Sequence, residues 1–221
     1  MSEYRLDDLQ LNGLFIYQNP SHYRFGEDAV LLSNFTEVRR GENAMDLCTG
    51  SGIIPILLSA KTEGKSFAGI EIQCEVADMA RRSVLLNALQ DRIKIECMDI
   101  KEAPAAYGTG AFDVVTANPP YLNGGKLNES ESISISRHEI KCAFGDVAEV
   151  SAKLLKRGGR FYLVHRPHRL ADIFYSLRIN NMEPKILQTV HPSEGKPPSL
   201  VLIAAVKGGK PHLKIMPPMI L

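Results

Sequence analysis

The chain has 221 residues, 44% of them hydrophobic and 23% charged, a composition typical of a globular protein with enough apolar residues for a sizeable core. No apolar stretch approaches the roughly 18 residues that a membrane span requires, and the acidic, polar amino terminus is unlike a signal peptide. Its cysteines are widely spaced and form no C-x-x-C pair, so we expect a cytoplasmic protein with neither a disulfide framework nor a metal site; they are Cys48, Cys74, Cys97 and Cys142.

The net charge of +1 conceals an uneven distribution of charge along the chain. Residues 153–221 carry 12 Lys and Arg against 3 Asp and Glu, whereas residues 1–152 carry 14 against 22. Taken singly, each basic residue is best explained as the solvated end of a helix or hairpin. Together they favour an anionic partner, because a basic patch binds phosphates. Six of them are expected near the strand end at which we place the reaction: Lys153, Lys156, Arg157, Arg160, Arg166 and Arg169.

Hydrophobic periodicity and turn residues predict a hairpin over 9–18, turning at Asn12-Gly13, and then a helix over 28–35. After these, strands at 43–48, 66–72, 93–98, 112–117, 159–165, 185–191 and 199–206 are interleaved with helices at 53–62, 75–89, 145–156 and 169–180. Such alternation predicts a parallel twisted sheet covered on both faces, with ligands at the carboxyl ends of the strands. We expect residues 1–40 to form an N-terminal extension and residues 41–221 a single α/β domain.

A glycine-rich turn, Asp46-Leu47-Cys48-Thr49-Gly50-Ser51-Gly52, joins the first core strand to the apolar helix that follows. Glycines let the backbone approach a ligand closely, and an acid at the strand end can hydrogen-bond to that ligand. Cys48 stands where a dinucleotide-binding loop has its first glycine, which argues against a nicotinamide cofactor.

Acidic residues also close the next two strands. Glu71 follows the loop by about 20 residues, the place at which a carboxylate can bind two ribose hydroxyls. Asp99 ends the third strand and is suited to accept the amino group of an adenine. Each acid taken alone is best explained as a solvated loop residue or a helix cap. Together, Asp46, Glu71 and Asp99 at successive strand ends predict one nucleoside site.

The tetrapeptide Asn118-Pro119-Pro120-Tyr121 stands at the end of the fourth core strand and has the form of an amine-methylation signature. An exocyclic amine conjugated to a ring is a poor nucleophile, and acceptors such as the Asn118 side-chain oxygen and the Pro119 carbonyl can turn its lone pair toward an electrophile. The two prolines restrict the backbone that carries these acceptors. Tyr121 offers a flat face on which an extruded base can stack.

The order of these motifs resembles that of the class I S-adenosylmethionine-dependent methyltransferases. More narrowly, the chain resembles the bacterial tRNA(adenine-N6)-methyltransferases that modify the adenosine 3′ of the anticodon in a valine tRNA, through the stretches at 24–32, 137–139 and 164–167. The resemblance implies a Rossmann-like α/β fold, in which a seven-stranded, mostly parallel sheet has an antiparallel last strand and helices on both faces.

The same resemblance implies S-adenosyl-L-methionine as the cofactor, RNA and in particular tRNA as the partner, and no metal. It assigns the cofactor to Asp28, Asp46, Cys48, Gly50, Gly52, Glu71, Ile72, Asp99, Ile100 and Asn118. It assigns methyl transfer to Asn118, Pro119, Pro120 and Tyr121, and contact with the substrate to Tyr121, Arg137, His138 and Arg166. We expect a monomer.

Three other functions remain open at this stage. N-P-P-Y serves a planar amide equally well, so the protein could methylate a release-factor glutamine, although that family carries a helical N-terminal domain. A non-catalytic RNA-binding protein and a nucleotide-dependent oxidoreductase of similar topology are the other two. The chain has no room for a duplex-DNA recognition domain, and it has no Pro-Cys pair for carbon-5 methylation of a pyrimidine.

Overall fold

The computed structural model describes residues 4–19, 26–120 and 144–221. The helices of these ranges are α1 (Glu27–Phe35), α2 (Ile53–Lys61), α3 (Cys74–Leu86), α4 (Ala103–Tyr107), α5 (Phe144–Leu154) and α6 (Leu170–Ile179), with short 3₁₀ turns at Ile100–Glu102 and Pro167–Arg169. The strands are β1 (Arg5–Asp8), β2 (Phe15–Gln18), β3 (Asn43–Leu47), β4 (Ser66–Glu71), β5 (Ile93–Cys97), β6 (Phe112–Ala117), β7 (Leu155–His165), β8 (Met182–His191), β9 (Leu200–Lys207), β10 (Lys214–Ile215) and β11 (Met219–Ile220).

One mixed sheet organises the described part of the chain, with the strand order β10-β8-β9-β7-β6-β3-β4-β5 and with β11 also paired to β8. Strands β3 to β7 are mutually parallel, whereas β9 runs antiparallel to both β7 and β8. The order reverses at β3, which lies between β4 and β6. The carboxyl ends of β3, β4, β5, β6 and β7 therefore meet along one side of the sheet, which we call the carboxyl edge.

The sequence predictions for the seven strands of the domain, including the antiparallel last strand, are confirmed by β3 to β9. The two-residue strands β10 and β11 and the short helix α4 were not predicted, because segments of two to five residues carry no readable periodicity. The hairpin is present, but its first strand is Arg5–Asp8 and residues 9–14 form the connection.

Alternation along the strands builds a core on each face of the sheet. Ala44 and Val114 pack on one face with α1, α2 and α3, while their neighbours Met45 and Val115 pack on the other with α4, α5 and α6. Because the central parallel strands are covered on both sides, most of their residues are buried, whereas β5 at the edge of the sheet begins by alternating buried and exposed residues. The rigid two-faced core holds the carboxyl edge in place.

The N-terminal hairpin packs against α3 through an unusual side-chain connection. Asn87 accepts the Phe15 N–H at 2.9 Å and donates to the Phe15 carbonyl at 2.7 Å, which imitates a strand neighbour. The Ser83 hydroxyl accepts the Tyr17 N–H at 3.0 Å. The otherwise exposed edge of β2 is thereby satisfied by helix side chains.

The expectation of no disulfide is wrong for one cysteine pair. Cys74, the first residue of α3, is joined to Cys97, the last residue of β5, with their Cα atoms 5.1 Å apart. The two cysteines are 23 residues apart in the sequence, and only the pairing of β4 with β5 brings them together. Spacing along the chain could not show this contact.

Candidate active site

The glycine-rich turn after β3 forms a tight left-handed loop. Cys48, Gly50 and Gly52 have φ angles of 58°, 55° and 79°, and the Thr49 N–H donates to the Ile70 carbonyl at 2.8 Å. A Cβ built on Gly52 would lie 3.2 Å from the Ala80 side chain, so this glycine permits close packing of α2 on α3. A Cβ on Gly50 would meet nothing within 4 Å, so the loop borders open space there.

Cys48 occupies a left-handed position that usually belongs to glycine. For an L-residue that conformation costs roughly 1–2 kcal/mol, so the departure from the glycine pattern is a local strain and not a change of loop shape. The φ angle of Cys48 shows that the glycine-like turn is retained.

Glu71 links the glycine-rich loop to the loop after β4. Its carboxylate accepts the Gly50 N–H at 3.0 Å and the Gln73 N–H at 2.9 Å, one on each oxygen, and the residue is only 6% exposed. A carboxylate oxygen has more than one acceptor site, so each can still take a hydroxyl donor. This placement fits the predicted role of Glu71 as a ribose ligand.

Asp46 is buried beneath the loop and ties β3 to β6. Its Oδ1 accepts the Thr116 hydroxyl at 2.6 Å, and the Thr49 hydroxyl lies close enough to the same carboxyl group to lower its pKa. Burial raises the pKa of Asp46 to about 7, against the opposing effect of the Thr116 hydrogen bond. Asp46 thus braces β3 against β6 beneath the glycine-rich loop.

The raised pKa of Asp46 makes a testable prediction about stability. Because the folded state retains this proton up to about pH 7 while an unfolded aspartate releases it near 3.8, wild-type stability falls as pH rises through that window. Asp46→Asn keeps an oxygen acceptor for Thr116 and has no charge to bury. We expect it to become more stable relative to wild type between pH 5 and pH 8, by on the order of 2 kcal/mol.

Urea unfolding of both proteins at the two pH values measures this difference. Burial lowers the pKa of His165 to about 4, which destabilises both proteins equally below its usual pKa and cancels in the comparison. A gap between variant and wild type that does not change with pH would contradict a buried carboxyl with a raised pKa.

Asn118, Pro119 and Pro120 continue directly from β6 on the carboxyl edge. Leu47 and Ala117 are partners in register, so Asn118 follows β6 at the level at which Cys48 follows β3. Pro119 is buried and Asn118 is partly exposed, so the motif begins at the border between the core and the carboxyl edge.

The other predicted cofactor residues lie after β4, after β5 and in the first turn of α1. Asp99 caps the 3₁₀ turn after β5, accepting the Lys101 N–H at 3.0 Å; Ile72 is partly buried after Glu71 and Ile100 is buried after Asp99. Asp28 lies in the first turn of α1, 8% exposed, with its Oδ1 accepting the Ala29 N–H at 2.9 Å. The structure thus brings the acids of β3, β4 and β5 to one edge.

His165 is a candidate site residue that sequence reasoning passed over. It ends β7 at 6% exposure, and its Nδ1 accepts the Arg166 N–H at 2.8 Å. With its pKa lowered by burial, and further by the nearby charge of Arg169, the ring is neutral at pH 7 and carries its proton on Nε2. Leu163 is the strand partner of Ala117, so His165 stands two residues farther along β7, close to the level of Asn118. The sequence could have indicated this position, because the strand predicted over 159–165 ends at His165.

The predicted basic cluster is divided between two edges, which corrects the expectation that it surrounds the reaction site. Arg166 and Arg169 follow β7 on the carboxyl edge, and Arg166 donates to the Ser199 carbonyl at 3.2 Å. The others precede or begin β7, at its opposite end. Three of those have acidic partners: Lys153 pairs with Glu149, Lys156 with Asp113 and Arg160 with Glu42.

Three predicted site residues, Tyr121, Arg137 and His138, lie outside the described residues. Within the described ranges, no group of three or more His, Cys, Asp or Glu side chains could hold a metal ion. No helix in the part of the chain that the structure describes is long and apolar enough to span a bilayer.

A cleft of about 320 Å³ opens at the amino ends of β3, β4 and β5, lined by residues that include Ser66, Arg92 and Tyr107. It lies on the side of the sheet away from the glycine-rich loop. Because ligands of open parallel sheets bind outside the carboxyl ends, we assign the functional site to the carboxyl edge.

The sheet is doubly wound, with a glycine-rich loop after β3 and the acidic residue Glu71 at the end of β4. This arrangement defines the class of α/β proteins that bind a nucleoside cofactor. The chain belongs to the methyltransferase small domain family, which matches residues 25–178. It is 27% identical over 195 residues to the tRNA1(Val) (adenine(37)-N6)-methyltransferase of Phocaeicola vulgatus, covering 86% of this chain and 79% of that one. The protein of the same name from Pedobacter heparinus is 24% identical over 189 residues, covering 85% and 79%.

A crystal structure described as a predicted O-methyltransferase from Agrobacterium tumefaciens superposes with a TM-score of 0.70 at 24% identity. The match covers 87% of this chain and 86% of that one. This likeness confirms the Rossmann-like methyltransferase fold expected from the sequence.

Proposed function

We propose that the protein transfers a methyl group from S-adenosyl-L-methionine to the N6 amino group of an adenosine in tRNA. The observation that carries this proposal is the meeting of Asn118-Pro119-Pro120 with Glu71 and the glycine-rich loop along one edge. An amine-orienting motif and a nucleoside-binding acid are then within reach of one pair of reactants.

The cofactor half of the site is built by residues that fit an adenosyl group. Glu71 holds the ribose hydroxyls, Asp99 accepts from the adenine, and the open space beside Gly50 receives the remainder. S-adenosyl-L-methionine supplies an electrophilic methyl group attached to a sulfonium. The cytoplasmic location expected from the sequence follows for an enzyme that acts on tRNA.

The acceptor half of the site requires orientation more than acid–base strength. The Asn118 oxygen and the Pro119 carbonyl accept the two N–H groups of the adenine amine, which aims its lone pair at the methyl group. Such alignment is worth roughly 7–11 kcal/mol of barrier when it is complete. The amine loses its proton after methylation has made it acidic, so no strong general base is needed.

Adenine in RNA is favoured over the other acceptors by the relatives and by the charges at the edge. Both relatives described above are named for tRNA adenine-N6 methylation. Arg166 and Arg169 lie at the carboxyl edge, where phosphates of an RNA bound at Asn118 would pass. An unpaired anticodon-loop base is also the cheapest to extrude.

The proposal is tested by incubating purified protein with radiolabelled S-adenosyl-L-methionine and unmodified tRNA, followed by mass spectrometry of the nucleosides. We expect N6-methyladenosine at one position of a valine tRNA, formed about 10²–10³-fold more slowly by Asn118→Ala. The parallel reaction contains a translation release factor in place of tRNA. Label in the factor and none in the tRNA would replace this function by glutamine methylation, and label in neither would leave a non-catalytic protein.

A further inference from the structure

The disulfide joins the two loops that the proposed function assigns to the adenosyl group. Cys74 stands immediately after Gln73, whose N–H donates to Glu71, and begins α3. Cys97 is the strand partner of Glu71 and precedes Met98, whose N–H donates to the Glu71 carbonyl at 3.1 Å. Asp99 follows directly. The covalent bond therefore joins the segment that follows Glu71, the proposed ribose ligand, to the segment that precedes Asp99, the proposed adenine ligand.

The bond is open to reagents in solution. Cys74 is exposed and Cys97 is only partly buried, so a thiol can reach the bond without unfolding of the core. The amino terminus of a helix stabilises a thiolate, and Cys74 occupies that place in the 13-residue helix α3. A cysteine pair of this kind, in a protein that works on tRNA inside the cell, fits a bond that forms and breaks, because disulfides in the cytosol are usually transient.

We propose that Cys74–Cys97 is a reversible thiol–disulfide site whose oxidation state sets the affinity of the protein for its adenosyl cofactor. This inference rests on the proposed function. In the oxidised form the bond holds the start of α3 against the end of β5, so the loops carrying Glu71 and Asp99 are ordered before the ligand arrives. In the reduced form those loops gain freedom that binding must remove, which lowers affinity.

The chemistry balances with small thiols and disulfides alone. A thiolate of a dithiol attacks one cysteine sulfur, forms a mixed disulfide and releases the other cysteine as a thiolate, which takes up a proton. The second thiol of the reagent then displaces the first cysteine and closes the reagent's own disulfide. In the reverse direction, oxidised glutathione accepts the two electrons and leaves as two glutathione thiols.

Reduction is not expected to unfold the protein. Farther along α3, Ala77 and Ala80 are fully buried in the core, and Arg81 Nε donates to the Ile95 carbonyl at 2.9 Å. These contacts keep α3 packed on β5 when its first residue is released. The effect is therefore local to the cofactor loops.

The test is calorimetric titration of S-adenosylhomocysteine into the full chain after treatment with oxidised glutathione or with dithiothreitol. Mass spectrometry after alkylation in denaturant should find two more reactive thiols in the reduced sample. We expect the dissociation constant to rise about three- to tenfold on reduction. Cys74→Ser should bind like reduced wild type and should not respond to either reagent.

The remaining outcomes contradict either the inferred redox control or the proposed function. Equal affinities in samples that differ by two thiols, tighter binding on reduction, or a failure of oxidised glutathione to form the bond would overturn this inference and leave the methyltransferase proposal standing. A response to the reagents that persists in Cys74→Ser would also overturn it. No binding of S-adenosylhomocysteine in either state would instead remove the proposed function, and this inference with it.

Discussion

Replacing Asn118 by alanine is expected to lower kcat for tRNA methylation by about 10²–10³-fold, because the amine loses the acceptor that orients it in the transition state. The dissociation constant for S-adenosylhomocysteine should stay within a few-fold of wild type, since Glu71 and the glycine-rich loop are untouched. Single-turnover methylation with saturating tRNA measures the first quantity and calorimetry the second.

Two further variants separate orientation from folding. Asn118→Asp retains an oxygen acceptor at the same place and should keep more activity than Asn118→Ala. Asn34→Ala is the matched control, because Asn34 is exposed at the far end of α1, where it accepts from Lys61 of the last turn of α2; its kcat should equal that of wild type. Turnover by Asn118→Ala at the wild-type rate would remove Asn118 from the mechanism.

Replacing Glu71 by alanine is expected to raise the dissociation constant for S-adenosylhomocysteine by about 10- to 100-fold, because hydrogen bonds to a charged group are worth roughly 1.5–3 kcal/mol each. The same change leaves the Gly50 and Gln73 N–H groups without their acceptor, so the apo protein should also be less stable. Calorimetric titration and urea unfolding report these two effects separately.

Glu63→Ala provides the control for Glu71→Ala. Glu63 is an exposed glutamate three residues before β4, at the opposite edge of the sheet, and its loss should change neither the affinity nor the stability appreciably. If Glu71→Ala were destabilised yet bound S-adenosylhomocysteine as tightly as wild type, Glu71 would be a loop brace and not a ribose ligand.

The core strands were predictable because their apolar residues either form short runs or alternate with polar ones, and turn or acidic residues follow them. Asp46 and Asn118 were recognised by the motifs that contain them, and Glu71 and Asp99 by their places at the ends of strands. Parallel pairing then brought all four to one edge. The hairpin strand at Arg5–Asp8 was misplaced because it is polar and short, and its partner is satisfied by side chains of α3. Such a contact, 72 residues away, leaves no local pattern.

The amino-acid sequence by itself determined the order of strands and helices, the glycine-rich turn and the types of residue at the strand ends, because these depend on local periodicity and backbone preference. Only the tertiary structure decided which of those groups meet. It bonded Cys74 to Cys97, divided the basic residues between two edges, and buried Asp46 and His165 so that their pKa values moved in opposite directions. Each of these outcomes depends on strand register and on burial away from water. The spacing of residues along a chain determines neither of these two factors.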